Sequence, residues 1–324
     1  MRIPIAQAIE FAEGILVRHG VPAAYARMVA DHLVDAALAG HAFAGLPRVL
    51  AIVDALAGRP PAGPVRVVHE DARCARIDGG DNVGYAVSLI AIDKAVEIAR
   101  KSGVAVVGAS NTWFSGRLAY YVERAAAQGF IALHTANTTA RVAPYGGIDA
   151  IFGTNPFAAA FPCEPEPLVV DFGTAQATWG EVLLRRTTGR PLEDGWAVDA
   201  EGRPTTDPAA ALAGAILPWG DQRGYGVAVI AQVLGILVGS DVVIRTVSDS
   251  GFFFFVLDPA LLMPLDAFKA RVAELAAAVH ASRPLPGGPP VRVPGEHSQR
   301  RRAAGRAAGT VDVDDEVYRR LLAL

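Results

Sequence analysis

Cysteine is scarce: only Cys74 and Cys163 occur in 324 residues. Two thiols build no disulfide framework, and their spacing matches no metal-binding pattern, so no metal is expected. A reducing, cytoplasmic setting is the expectation. An excess of charge of one sign is also lacking. Thirty basic residues face 33 acidic ones, for a formal net charge of −3. That leaves no electrostatic footprint for nucleic acid. The single basic run, Arg300-Arg301-Arg302, reads as a solvated helix face. A secretory leader is not expected, because Glu10 and Glu13 interrupt the apolar positions near the start. Long uninterrupted apolar runs are absent as well. Residues 224–244 come nearest to the ~20 residues of a membrane span. Gly224, Gly226, Gly235 and Gly239 punctuate them, and Asp241 falls near the end. They read as a buried helix followed by a buried strand, and no membrane partner is expected.

The Rossmann fingerprint G-x-G-x-x-G is missing too. Gly79-Gly80-Asp81-Asn82-Val83-Gly84 has three glycines at another spacing. Placed between a strand and a helix, it reads either as a plain turn or as a loop that approaches a ligand.

What is present is apolar material: 52% of residues are hydrophobic. That supports two domains with ample cores. Ile5, Ala8, Ile9, Ala12 and Leu16 follow helical spacing, and helices are expected over 5–20, 23–39 and 46–56. Gly58, Pro60, Pro61, Gly63 and Pro64 form a linker. Beyond it, strands are read at 65–68, 75–77, 104–107, 130–134, 157–161, 168–172 and 252–257, with helices over 85–101, 117–128 and 265–282. Phe252 to Leu257 must be buried, since exposed it would invite aggregation. A Pro/Gly spacer at 284–290 precedes a polar, partly helical tail. The expected organisation is a helical module (1–64), an α/β domain (65–290) and a C-terminal tail (291–324).

Several segments carry chemistry. Residues 195–208 are a chain of turns set by Gly195, Gly202, Pro204 and Pro208. Pro218-Trp219-Gly220-Asp221-Gln222-Arg223-Gly224-Tyr225-Gly226 follows. Ala143-Pro144-Tyr145-Gly146-Gly147 and Gly153-Thr154-Asn155-Pro156 are loops with exposed backbone donors and short polar side chains, and Asp171-Phe172-Gly173-Thr174-Ala175 begins at the end of a strand. Such loops suit pyrophosphate and ribose, or serve as ordinary turns.

Together these segments resemble the malate/L-lactate dehydrogenase-like, non-Rossmann NAD(P)H oxidoreductases, a family that includes piperideine/pyrroline-2-carboxylate reductases. The resemblance runs from about Ala6 to Leu322. It implies a helical N-terminal module beside a mixed, largely antiparallel NAD(P)-binding sheet, with the tail returning to that module. It implies NADH or NADPH as cofactor, held by Gly153, Thr154, Asn155, Pro156, Asp171, Thr174 and Arg223. It also implies a small carboxylate substrate and a homodimer.

The substrate motif of the family, Gly-x-x-Ser-His-Gly-x-x-Arg, is matched by Gly40-His41-Ala42-Phe43-Ala44-Gly45-Leu46-Pro47-Arg48. Arg48 is kept to clamp a carboxylate. Phe43 and Ala44 stand at the Ser and His positions. A second family histidine falls in Asn111-Thr112-Trp113-Phe114-Ser115-Gly116, where Trp113 and Phe114 supply apolar bulk. Elsewhere Gly251-Phe252 replaces Gly-His, and Gln222-Arg223 replaces His-Lys. None of the seven histidines falls on those positions. Tyr120, Tyr145 and His41 remain as candidate proton donors, with packing the alternative role for the tyrosines; Asp81 is a further acid near a turn.

Hydride addition to a ketone creates an alkoxide that needs a proton donor, worth about 10²–10⁴ in rate. A protonated cyclic imine already carries its proton, and aromatic faces can attract its charge. The substitutions therefore point to a reductase of a cyclic imine-2-carboxylate or a 2-oxo/2-hydroxy acid. The competing reading is a repurposed member with a non-redox or ligand-binding role.

Overall fold

The computed structural model describes residues 1–324. A short strand β1 (Arg2–Pro4) leads into α1 (Ile5–Arg18), which turns Ala8, Ala12, Ile15 and Leu16 inward at helical spacing. α2 (Ala23–Leu38) and α3 (Pro47–Leu56) complete the first module, with Pro47 in the first turn of α3, where its missing N–H costs nothing.

A hairpin follows: β2 (Arg66–Glu70) and β3 (Cys74–Val83). α4 (Gly84–Ser102) then crosses over to β4 (Val104–Trp113), parallel to β3. Next come α5 (Ala119–Ala126), β5 (Ile131–Ala136), β6 (Phe157–Phe161), β7 (Leu168–Phe172) and α6 (Trp179–Thr188). In and just after the expected turn segment, β8 (Ala197–Val198), β9 (Pro204–Thr205) and β10 (Ala215–Ile216) form a small sheet beside α7 (Pro208–Ala213). α8 (Gln222–Leu237), β11 (Phe252–Leu257) and α9 (Leu265–His280) close the larger unit. The tail holds α10 (Glu296–Ala308), β12 (Thr310–Asp312) and α11 (Asp315–Leu322).

The main sheet has seven strands in the order β2-β3-β4-β11-β5-β6-β7, and only the β3–β4 pair is parallel. This is the mixed, largely antiparallel sheet that the resemblance implied. The run of four phenylalanines is its central strand. Phe252, Phe254 and Val256 are fully buried, in the same core as α4 and α5. Each such phenylalanine contributes about 1.5–3 kcal/mol of burial. No helix is long and apolar enough to cross a membrane.

The tail folds back on the N-terminal helices. β12 pairs antiparallel with β1, and Val311, Val313 and Leu321 join the core of α1–α3. A charge cluster fastens the same contact. Asp35 on α2 accepts from Arg117 at 2.8 Å and from Arg306 at 2.9 Å, and Glu123 accepts from Arg117 and Arg302. Asp35, Arg117, Glu123 and Arg302 are nearly closed to water. Arg302 therefore departs from the solvated-face reading of the basic run: its helix packs on acidic groups that lie far away in sequence.

Residues 224–244 need a second correction. No strand follows the helix, and α8 is not buried all round. Gly235 packs against the Asn137 side chain, where a Cβ would come within 2.3 Å. The other face leaves Ile230, Val233 and Leu237 exposed at 55%, 56% and 71%. Hydropathy records both faces alike, so the sequence does not separate them.

Candidate active site

The turn segments come together through their backbones. The Thr174 N–H donates to the Thr154 carbonyl at 2.9 Å, and the Trp219 N–H donates to the Thr174 carbonyl at 3.1 Å. Ala175 bridges Pro218, and the Ala143 N–H donates to the Ile216 carbonyl. The loops at 143–147, 153–156, 171–175 and 218–223 thus form one cluster.

Their side chains divide into braces and free groups. Asn155 is fully buried: Oδ1 accepts from the Thr138 N–H at 3.1 Å, and Nδ2 donates to Gln232 at 2.9 Å and to the Ala228 carbonyl. Thr174 is also buried, its hydroxyl donating to the Thr154 carbonyl. The Pro156 carbonyl accepts from the Thr135 hydroxyl at 2.8 Å. Gly153 is required because a Cβ would sit 2.0 Å from the Thr138 hydroxyl. These residues shape the loops. Asp171 accepts from the Ala119 N–H at 2.8 Å. It keeps an exposed surface, yet protein crowds its carboxylate; that desolvation pushes the pKa up to about 6 against the pull of the Ala119 amide and Arg117.

The free groups are donors. The buried Trp219 Nε1 has no hydrogen-bond partner. Arg141 lies over the Trp179 ring at 4.2 Å with no carboxylate partner, and burial lowers its pKa. Arg223 is exposed in the first turn of α8. Unpaired donors and cations at a loop cluster fit a dinucleotide's phosphates and ribose.

Arg48 stands near the first turn of α6, through Phe43. Its guanidinium lies 4.1 Å from the Phe114 ring centroid and 5.6 Å from that of Phe43. No acid lies within salt-bridge distance. Phe43 in turn packs on Gly180 in the first turn of α6, where a Cβ would meet the ring at 2.0 Å. That turn continues directly from the Thr174 loop. Ala44 lies beside Phe43 in a half-buried 3₁₀ turn. Phe114 holds φ at +59°, a left-handed conformation that costs a bulky residue about 1–3 kcal/mol.

The other substituted positions serve packing. Trp113 is buried in the helical-module core, donates Nε1 to the Asp81 carbonyl at 3.0 Å and has Arg59 over its face at 4.6 Å. Asp81 pairs with Arg59 at 2.8 Å. Phe252 is a core residue under α4. His41 hydrogen-bonds Ser298 of the tail at 3.2 Å, which occupies its ring nitrogen away from Arg48. Tyr120 packs on His32 at 4.5 Å, and burial, with Asp35 and Asp31, pushes its pKa up to about 12. Tyr145 is 56% exposed.

Sequence reading passed over His32. It is fully buried and accepts the Arg117 N–H at 3.0 Å, fixing the loop after Phe114. Burial, then the charge of Arg117, hold its pKa well below the usual range. No periodicity distinguishes it from its apolar neighbours on α2.

The loop cluster has no Rossmann fingerprint, and Arg48 has no acidic partner; the class of the protein follows from its family. Residues 3–322 match the family described as malate/L-lactate dehydrogenase, and the chain belongs to that family. It is 32% identical over 317 residues to the L-sulfolactate dehydrogenase of Methanocaldococcus jannaschii, covering 95% of this chain and 91% of that one. It is 31% identical to the ureidoglycolate dehydrogenase (NAD(+)) of Escherichia coli K12, covering 97% and 93%. Its fold matches the solved delta1-piperideine-2-carboxylate reductase of Pseudomonas syringae pv. tomato with a TM-score of 0.88, 26% identity, and coverage of 99% and 98%.

Proposed function

We propose that this chain reduces a small carboxylate with NADH or NADPH. Arg48 holds the carboxylate, and the loops around Thr154, Thr174 and Trp219 hold the coenzyme. The carrying observation is the Arg48 guanidinium, half-buried, stacked between two rings and lacking an acid. A cation so placed gains a bidentate partner when a carboxylate enters. Relatives named for sulfolactate, ureidoglycolate and piperideine carboxylate, with NAD(+) or NADP(+) in some names, support this class.

The coenzyme supplies the hydride when bound. The protein's own residues orient both partners. Asn155 and Gln232 fix the loop against α8; Arg141, Arg223 and the Trp219 indole Nε1–H offer the phosphates and ribose charge and a donor. Phe43 and Phe114 keep water from the Arg48 plane. Arg48 already lies over both rings, and its charge repels a substrate cation from them. The preference for a cyclic imine-2-carboxylate over a 2-oxo acid rests instead on the phenylalanine beside Arg48, which donates no proton.

Two measurements test this. Fluorescence titration with NADH and with NADPH is expected to show stoichiometric binding of at least one. Wild-type enzyme is expected to favour piperideine-2-carboxylate over pyruvate, and Phe114→His to raise pyruvate turnover toward the 10²–10⁴-fold worth of a general acid. Absence of coenzyme binding would instead favour a non-redox role, and preference for pyruvate would remove the imine reading.

We also propose a homodimer that covers the exposed apolar face of α8. Light scattering should give twice the chain mass, and Val233→Glu should shift the protein to monomer; a wild-type monomer would sink the idea.

A further inference from the structure

The β2–β3 hairpin carries a cluster that the candidate active site does not use. β2 and β3 pair antiparallel, and the Asp71 N–H donates to the Cys74 carbonyl at 2.9 Å. Asp71 and Cys74 therefore face one another across the turn. His69 lies two residues before Asp71, and strand alternation returns its side chain to the same face. The imidazole, carboxylate and thiol offer ligand atoms that all lie within 4.8 Å of one another.

We propose that His69, Asp71 and Cys74 form a binding site for one divalent transition-metal ion, of which zinc is the best match. The donor set is one nitrogen, one oxygen and one sulfur. That mixture suits a borderline-soft ion and is a poor set for calcium or magnesium, which favour oxygen alone. Zinc–ligand distances of about 2.0–2.3 Å need donors roughly 3.3–3.8 Å apart in a tetrahedron, so side-chain rotation without backbone change closes the set. Water fills the fourth position.

Each donor is available. Cys74 is a free, half-buried thiol. His69 and Asp71 are exposed. Asp71 is already oriented, because Oδ1 accepts from the Arg73 and Cys74 amides at 2.8 and 3.0 Å. A metal ion takes the place of the Cys74 thiol proton, which passes to solvent while sulfur and the carboxylate become ligands. Arg76 stands opposite His69 in the register and opposes the incoming charge, so an exchangeable site is expected rather than a permanently filled one.

Cobalt(II) titration of the full, metal-stripped chain reads the site directly. A sulfur-to-cobalt charge-transfer band in the near ultraviolet should saturate at one ion per chain. Cys74→Ser should abolish the band, His69→Ala should weaken binding at least about tenfold, and Cys163→Ser should leave the titration unchanged. Zinc should displace the cobalt and slow the reaction of Cys74 with a disulfide reagent. Circular dichroism of each variant confirms that the fold is kept. A band that survives in Cys74→Ser, or no saturable cobalt binding by the wild type, overturns the proposal.

Discussion

Replacing Arg48 with leucine is expected to lower kcat/KM for the carboxylate substrate by about 10²–10³-fold. Two charge-assisted hydrogen bonds in a bidentate pair are worth roughly 3–4 kcal/mol together, and each 1.36 kcal/mol is a factor of ten. Leucine keeps apolar contact with Phe43 and Phe114, so the stacked walls should persist. Reduced-coenzyme affinity should therefore change little, because that ligand is assigned to the loops around Thr154, Thr174 and Trp219. Arg48→Lys should fall between the two, since an ammonium is a point charge without the planar fork. Steady-state kinetics with parallel coenzyme titration separates these outcomes. A loss below threefold in Arg48→Leu would mean that another residue binds the carboxylate.

The second large effect concerns stability. Asp35→Ala is expected to destabilise the protein by about 3–5 kcal/mol, the range for removing one partner from a buried ion pair. Asp35 answers Arg117, Arg302 and Arg306 at once. Without it, Arg117 and Arg302 keep only Glu123 as a paired acid, and both lose hydration without full compensation. Asp315→Ala is the matched control: its pair with the N-terminal amine is exposed, so a loss within about 1 kcal/mol is expected. Thermal and urea unfolding of the two variants measure the difference. Equal losses would show that the cluster is no more than a surface network. Asp35→Ala should also lower activity, because Arg117 follows the loop that carries Phe114.

Legibility in the sequence divided by distance along the chain. The helices at 5–18 and 23–38 followed from local spacing, and the apolar run at 252–257 could only be an interior strand. The loop motifs were visible because each is contiguous, and the hydrogen bonds from Thr174 and Trp219 bring them together. The division of labour inside those loops was not visible. Asn155 and Thr174 look like ligand contacts in a string of letters, whereas three-dimensional packing spends their side chains on holding the backbone. Phe43 and Phe114 read as lost polar groups; their use as two covers on one arginine needed residues 43, 48 and 114 in the same place. The charge cluster joins positions 35, 117, 123, 302 and 306, which no local pattern connects. Helix α6 and the small sheet β8–β10 were hidden for another reason: their segments are short, and turn residues interrupt their periodicity.

Pairing between β1 and β12 sets the order in which the protein can be completed on the ribosome. Arg2 meets Asp312 across 310 positions of chain. At 5–20 residues per second, roughly 15–60 s of synthesis separate the two partners. The first helices emerge early, yet they must wait for Val311 and Leu321 before their apolar surface is sealed. The module made first is thus the one finished last.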